Sequence, residues 1–296
     1  MIATMETPTA RHLVRDLRQQ FAEAGIESAQ AEAEWIVAAS LGVSRTALYL
    51  RDEPLASEIV DTIQACASRR LAGEPLQYVL GSEDFCGHQL AVSPAVLIPR
   101  PETEVLTQQA IAHLAILAAR TGRRLRVLDA GTGSGNIAIS LARAVPTCLV
   151  VALELSWEAL SVAHANVRQH GVARQVRLVQ TNWASGIRGS FDLIISNPPY
   201  VPTSQADALC GAHRRAEPRL SLDGGPDGMA PHRHLLAEAE RLLVAGGLLG
   251  LECAEDQAEP LQSWARTLPW VERVHLFRDL TERPRGIWVQ RRGEAA

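Results

Sequence analysis

The stretch Val127-Leu128-Asp129-Ala130-Gly131-Thr132-Gly133-Ser134-Gly135-Asn136 decides the fold. An apolar strand pattern runs into a glycine turn, and the turn runs into Ile137, Ile139, Leu141 and Ala142 in a helical pattern. This predicts strand, tight loop and helix, the unit from which parallel sheets with crossover helices are built. Glycine accepts positive φ and lets a ligand approach the backbone, and the helix start behind it offers unpaired N–H groups. The spacing separates two ligand classes. A dinucleotide fingerprint, G-x-G-x-x-G, would need its third glycine at position 136, where this chain has Asn136.

Here the glycines alternate at 131, 133 and 135 behind an acid, Asp129, the arrangement associated with S-adenosylmethionine, which has no pyrophosphate. The next strand, Leu149 to Leu153, ends in Glu154, about twenty residues beyond the glycines, where an acid accepts ribose hydroxyls. The alternative is a helix-capping acid, although Ser156 can cap the following helix by itself. One strand later, Val176 to Gln180 leads to Asn182-Trp183, with Trp183 either covering an adenine face or packing in the core. The buried strand Phe191 to Ile195 leads to Asn197-Pro198-Pro199-Tyr200. The prolines fix φ near about −65° and donate no hydrogen bond, so the carbonyls around them are free to accept one. Asn197 adds a side-chain carbonyl. Two acceptors so placed grip a planar NH2 group and orient its nitrogen; the alternative is an ordinary Asn-Pro turn.

Composition removes several other chemistries. The chain has 296 residues, 47% of them hydrophobic, enough for one large core and a small companion domain. Its net charge is −4 and only 4% of residues are aromatic, so neither a basic field nor a run of stacking rings points to nucleic acid. It contains no lysine, which excludes a Schiff-base lysine, a pyridoxal-phosphate anchor and a Walker-type phosphate loop. Cys66, Cys86, Cys148, Cys210 and Cys253 are scattered without a Cys-x-x-Cys pair and read as reduced thiols of a cytoplasmic protein. His232-Arg233-His234 is the only close histidine pair, and it reads as a surface helix start rather than a metal site. The N-terminus, Met1 to Glu6, shows no signal peptide, and no apolar run is long enough to span a membrane.

The sequence divides into a helical domain over residues 1–75, a linker β-hairpin over 76–98 and a sheet domain over 99–296. In the first part Leu13, Leu17 and Phe21 share one face, Trp35, Ile36 and Ala39 another, and Ile59, Ile63 and Cys66 a third. Thr7-Pro8 and Ser57 are candidate helix starts, Gly42 and Gly73 candidate stops. These helices carry no chemistry of their own and are expected to recognise a protein substrate. From residue 99 onward strands and helices alternate, closing with strand Leu248 to Cys253, helix Gln257 to Thr267, and strands Val271 to Phe277 and Gly286 to Gln290 as an antiparallel edge hairpin. The expected fold is α/β, a Rossmann-like seven-stranded methyltransferase sheet with a small N-terminal helical domain, and its ligands sit at the carboxyl ends of the strands.

With these motifs the chain resembles the protein-(glutamine-N5) methyltransferases, most closely those acting on the Gly-Gly-Gln motif of peptide chain release factors. The similarity also takes in Phe85-x-Gly87, Val96-Leu97-Ile98-Pro99-Arg100-Pro101-Glu102-Thr103-Glu104, Glu217-Pro218 and Asp223-Gly224-Gly225-x-Asp227-Gly228. Asn182 departs from the acid usual in the family, and Cys253-Ala254 from the commoner Ile-Gly. The resemblance implies that Gly131, Thr132, Gly133, Ser134, Gly135, Glu154 and Trp183, with Asp129, hold S-adenosylmethionine, and that Asn197 binds both cofactor and glutamine. Asn197 and the Pro198 carbonyl then accept the two amide N–H bonds, Pro199 and Tyr200 complete the substrate site, and no dedicated base is required. A monomer with no nucleic-acid or membrane partner is expected. The alternatives are a glutamine methyltransferase of another protein, such as a ribosomal protein, and an adenine-N6 methyltransferase of nucleic acid. Arg100, Glu102 and Thr103 form either a lip beside the cofactor or a simple helix start. The segment from Arg214-Arg215 to Asp227-Gly228 is expected to border the substrate entrance.

Overall fold

The computed structural model describes residues 8–51, 53–212 and 217–293, with backbone alone at 209–212. The chain divides between Gly81 and Ser82 into two compact units. In the first, Thr9 caps α1 (Ala10–Glu23) by accepting from the His12 N–H at 3.4 Å. The helix start expected at Thr7-Pro8 thus falls later: Pro8 precedes the cap, and Thr7 lies outside the described residues. Leu13, Leu17 and Phe21 are buried as their spacing predicts. α2 (Ala29–Leu41) stops where expected, at Gly42 with φ 63°, but its inner face differs. Ala33, Ile36 and Val37 are buried, whereas Trp35 and Ala39 are exposed and the Arg45 guanidinium lies 5.3 Å from the Trp35 ring centroid. A helix apolar on most sides does not reveal from its own pattern which side its neighbours cover.

After α3 (Arg45–Leu48), α4 (Ser57–Leu71) buries Ile63 and Ala67. Residues 76–80, expected in the linker hairpin, instead form the helix α5 (Leu76–Leu80), whose Val79 joins Leu17, Ile36 and Ile63 in the core of this unit. A short apolar run fits helix and strand alike, and here packing against the other helices selects helix.

The second unit opens with the hairpin β1 (Ser82–Phe85) and β2 (His88–Ala91), turned by Cys86 and Gly87 at φ 48° and 74°. Positive φ at both central residues matches the twist of the strands. The helix α6 (Pro101–Thr121) begins with its proline in the first turn beside Glu102 and Glu104. There follow β3 (Leu125–Ala130), α7 (Asn136–Ala144), β4 (Cys148–Glu154), α8 (Trp157–Gln169), β5 (Val176–Gln180), β6 (Phe191–Ser196), α9 (Thr203–Ala212), α10 (Ala230–Leu242), β7 (Leu243–Glu252), α11 (Ala258–Ala265), β8 (Val271–Arg278) and β9 (Pro284–Arg291). The strands form the expected seven-stranded sheet in the order β5-β4-β3-β6-β7-β9-β8. The first five are parallel; β9 runs antiparallel to both β7 and β8, which leaves β8 at the edge.

Both faces of the inner strands are covered, so these strands read mostly apolar, whereas the edge strand β5 carries Arg177 and Gln180. Val127 packs with Leu106 of α6 and Ile139 of α7, and its neighbour Leu128 packs on the opposite face with Leu236 of α10 and Leu261 of α11. Strand order reverses at β3, with β4 on one side and β6 on the other. A crevice at such a reversal, outside the carboxyl ends, is where open α/β sheets bind ligands. Among the described residues no helix is long and apolar enough to cross a membrane. Cys66, Cys86, Cys148 and Cys253 are unpaired, while the Cys210 side chain lies outside the described residues.

Candidate active site

A cavity of about 470 Å³ opens at that reversal, within the roughly 300–1,000 Å³ usual for small-molecule sites. Its floor is the loop after β3. The Gly131 and Thr132 N–H groups both donate to the Leu153 carbonyl, at 2.9 and 2.8 Å, and the Gly135 N–H donates to the Thr132 carbonyl at 2.8 Å. Asn166, fully buried on α8, donates to the Ser134 carbonyl at 2.9 Å and also bonds both backbone groups of Ala91, tying the loop to β2. Gly131, Thr132, Gly133 and Ser134 line the cavity; Gly135 instead caps α7 at φ 84°.

Asp129 does not reach the cavity wall. Its carboxyl is fully buried beneath the turn, where Oδ2 accepts from the Thr132 hydroxyl at 2.6 Å and Oδ1 has no partner among the described residues. Burial pushes this group up to about 7, with nearby Glu154 adding to the shift. Strand alternation puts Asp129 on the face of Val127, so it shapes the turn from below.

Glu154 stands where β4 ends and lines the cavity. Its Oε2 accepts from the Gly133 N–H at 3.0 Å, and its Oε1 from the Leu155 and Ser156 N–H groups at 2.8 and 3.0 Å. A carboxylate has about four lone-pair sites, so roughly one stays open for a ligand hydroxyl. Capping of α8 falls to Ser156, whose hydroxyl oxygen accepts from the Ala159 N–H at 3.1 Å. Trp183 also lines the cavity and packs partly against the core. Its φ of 51° is costly for a bulky side chain, and such strain gathers at ligand sites. His234 of α10 lies beside it with ring centroids 6.4 Å apart, and His232, expected on the surface, is fully buried with Nε2 2.8 Å from the Glu252 carbonyl. The apolar stripe of α10 carries His232 inward, and burial lowers its pKa. No set of three candidate ligands for a metal occurs among the described residues.

Asn197 follows β6 and also lines the cavity, with Pro199 beside it. Its Nδ2 donates to Thr103 Oγ1 at 2.9 Å, and the Thr103 hydroxyl donates to Glu252 Oε2 at 2.7 Å. Thr103 comes from the first turn of α6 and Glu252 from the end of β7; both are buried. The Pro-Arg-Pro segment is therefore a helix start that carries Thr103 to Asn197, and Ala95, Val96 and Leu97 ahead of it line the cavity. Burial, with the Glu252 carboxylate adding, pushes the Tyr200 hydroxyl well above its ordinary value, so it stays un-ionised near neutral pH.

The remaining wall is the segment from Pro218 to Gly225; Arg214 and Arg215 lie outside the described residues. Glu217 ion-pairs with Arg100 and accepts from the Ile98 N–H at 2.9 Å, tying this segment to the start of α6. The Val201 N–H donates to the Leu222 carbonyl at 2.9 Å and the Gly224 N–H to the Val201 carbonyl at 2.8 Å, holding this wall against the Asn197 segment. Sequence reasoning missed the Thr103 to Glu252 link and the Asn166 buttress. The one available signal was a carboxylate, Glu252, closing the apolar run Leu248 to Leu251.

The arrangement fits S-adenosylmethionine. Two glycines, Gly131 and Gly133, open the floor to close approach, a partly satisfied carboxylate and an indole line the cavity, and no arginine lines the described wall to meet a phosphate. A family model described as PrmC N-terminal domain matches residues 12–81, and one described as Methyltransferase small domain matches residues 109–224. The release factor glutamine methyltransferase of Moorella thermoacetica is 38% identical over 288 residues, covering 97% of this chain and 100% of its own. That of Geobacter sulfurreducens is 40% identical over 253 residues, covering 85% and 86%. That of Deinococcus radiodurans is 37% identical over 284 residues, covering 96% and 99%. Among solved structures, the hMettl16 catalytic domain in complex with MAT2A 3'UTR hairpin 6 matches with TM-score 0.52 at 17% identity, over 81% of this chain and 83% of that one, a likeness of fold alone. Identity at this level along nearly the whole of both chains places the protein in the release factor glutamine methyltransferase family, as an S-adenosylmethionine-dependent methyltransferase.

Proposed function

We propose that this chain methylates the side-chain amide nitrogen, N5, of the glutamine in the Gly-Gly-Gln motif of peptide chain release factors. The observation that carries the proposal is the pair of acceptors after β6. Asn197 turns its Nδ2 to Thr103, which leaves Oδ1 for a ligand, and the Pro198 carbonyl takes no backbone hydrogen bond among the described residues. Two such acceptors match the two N–H groups of a primary carboxamide.

An amide lone pair is delocalised into its carbonyl, so orientation is the main service the protein can give. Asn197 and Pro198 would hold the amide plane and favour the form with more density on nitrogen, while Pro199 and Tyr200 pack beside it. S-adenosylmethionine supplies an electrophilic methyl carbon on a sulfonium. Gly131 to Ser134, Glu154, Trp183 and Asn197 would hold it, with Glu154 accepting from a ribose hydroxyl. The methylated nitrogen then releases a proton to solvent. The helical unit would recognise the body of the substrate protein; its exposed Trp35, Tyr49 and Leu50 are support for this, since aromatic residues are enriched at protein contacts.

Mass spectrometry of a purified release factor after incubation with the protein and S-adenosylmethionine is the test. One added methyl on the Gly-Gly-Gln glutamine is expected, falling about 10²- to 10³-fold in rate for Asn197→Ala. Methyl transfer to adenine in nucleic acid, or to no glutamine despite cofactor binding, would refute the proposal.

A further inference from the structure

The Asn197 amide can take two orientations related by a half-turn, and only one presents an acceptor to the substrate. A threonine hydroxyl has a single proton. Thr103 donates its proton to Glu252 Oε2 at 2.7 Å, so toward Asn197 it can only accept, and Nδ2 must face it at 2.9 Å. The half-turned amide would set Oδ1 against a Thr103 lone pair and Nδ2 against the incoming NH2 group. Both contacts fail together.

We propose that Thr103 and Glu252 are positioning residues that hold the Asn197 oxygen toward the substrate, so that the enzyme accepts a group offering two N–H bonds. This rests on the role given to Asn197 above. Thr103 and Glu252 are each 1% exposed, so water does not compete for these bonds. They arrive from α6 and β7, and the Glu252 backbone is itself held by His232 of α10.

The ionisation of Glu252 governs the orientation. Around it stand Arg100 and Glu102 at the start of α6, Arg285 on β9, Tyr200 after β6, His232 on α10 and the adjoining Cys253. Burial pushes the carboxyl up to about 7; Glu102 adds to this, while Arg285, Arg100 and the Thr103 hydrogen bond oppose it. Once protonated, the acid can donate to Thr103, whose own proton is then free to turn to Asn197 and admit the reversed amide. Turnover of glutamine should therefore fall as pH drops through this group.

The experiment measures kcat/KM on a purified release factor at saturating S-adenosylmethionine across pH 5.5–9, with S-adenosylhomocysteine affinity by calorimetry and Tm as controls. Thr103→Val is expected to lower kcat/KM about 10- to 100-fold, the size of a lost orienting hydrogen bond, with cofactor affinity nearly unchanged. Thr103→Ser restores the hydroxyl and should recover both the rate and the acidic limb of the profile. Glu252→Gln, close in volume, should remove that limb even if Thr103→Val folds poorly. Wild-type kcat/KM in Thr103→Val, failure of Thr103→Ser to rescue, or an unchanged limb in Glu252→Gln would overturn the proposal. Asn197→Ala separates the two levels. If it too keeps full turnover, the role of Asn197 fails; if it alone is inactive, only the hold on its orientation does.

Discussion

The glycine turn after β3 and the Asn197 segment after β6 occupy neighbouring strand ends, yet they are held in different ways. The turn has three backbone bonds, Gly131 and Thr132 on the Leu153 carbonyl and Gly135 on Thr132, and the side chains of Asp129, Glu154 and Asn166 brace it further. Asn197 is followed by two prolines that donate nothing, and its amide is fixed by the side chains of Thr103 and Glu252. A backbone-held cradle tolerates side-chain change wherever no Cβ intrudes. A side-chain-held amide depends on one hydroxyl and one carboxylate far apart in sequence. If the turn holds the cofactor and the Asn197 oxygen takes the substrate amide as proposed, cofactor affinity and amide selection would be largely separable properties of one cavity.

The largest expected effect comes from the wall that closes on the Asn197 segment. A Cβ on Gly228 would run into the Tyr200 carbonyl and come to 2.6 Å of the Gln257 amide nitrogen, at a φ of 75°. That carbonyl is itself bonded by Gln257 at 2.9 Å, so the backbone of Tyr200 has no room to yield. Gly228→Ala should cost about 3 kcal/mol through overpacking and a left-handed Cβ. Gly133→Ala in the turn, where a Cβ meets open space at φ 53°, should cost only about 1–2 kcal/mol. Thermal unfolding of the two variants side by side decides: equal losses would mean that the wall is no tighter than the turn.

A smaller effect tests what the buried carboxylate costs. The Glu252 carboxyl is raised by burial to about 7, so the folded state holds its proton more tightly than the unfolded chain. Its contribution to stability is complete below the unfolded value near 4.5 and is lost as pH rises toward 7. Asp129 titrates in the same direction but is common to both proteins and cancels in a comparison. Glu252→Gln should therefore gain on the wild type as pH rises from 5 to 8, by on the order of 2 kcal/mol. A stability difference that stays flat with pH, measured by denaturant titration, would show that Glu252 is not held neutral in the acid range.

The same contrast explains what the sequence disclosed. The turn, Glu154, Trp183 and Asn197 each follow a strand in a local pattern, and a parallel sheet gathers such positions at one edge, so the kind of sheet and the place of the cavity were legible. Thr103 and Glu252 lie 149 residues apart, and their bond leaves no periodicity to read. Asn166 looks like any polar helix residue until β2 and the glycine loop close over it. Asp129 carried the right signal but the wrong position, since its side chain lies under the turn. His232 was misplaced because two histidines near a helix start suggest surface, whereas the stripe of Leu235, Leu236 and Ala239 turns it inward. Residues 76–80 went to helix because the packing of Val79 outweighed a run too short to choose.

The smallest effect probes the cradle where it does depend on a side chain. Glu154 gives three of its acceptor sites to the Gly133, Leu155 and Ser156 N–H groups, so it both braces the turn and faces the ligand. Glutamine at this position keeps one oxygen for the Leu155 and Ser156 donors but sets an NH2 group against the Gly133 N–H or against a ligand hydroxyl. One hydrogen bond to a charged acceptor is lost, worth about 1.5 kcal/mol or roughly tenfold in affinity. Calorimetry should therefore show S-adenosylhomocysteine binding weakened about tenfold in Glu154→Gln, with kcat at saturating cofactor close to wild type. Thr103→Val should give the reverse pattern, a fall in turnover with affinity preserved. If Glu154→Gln lowered kcat as strongly as affinity, the turn and the Asn197 segment would be coupled through the shared floor of the cavity, and the division between binding and selection would fail.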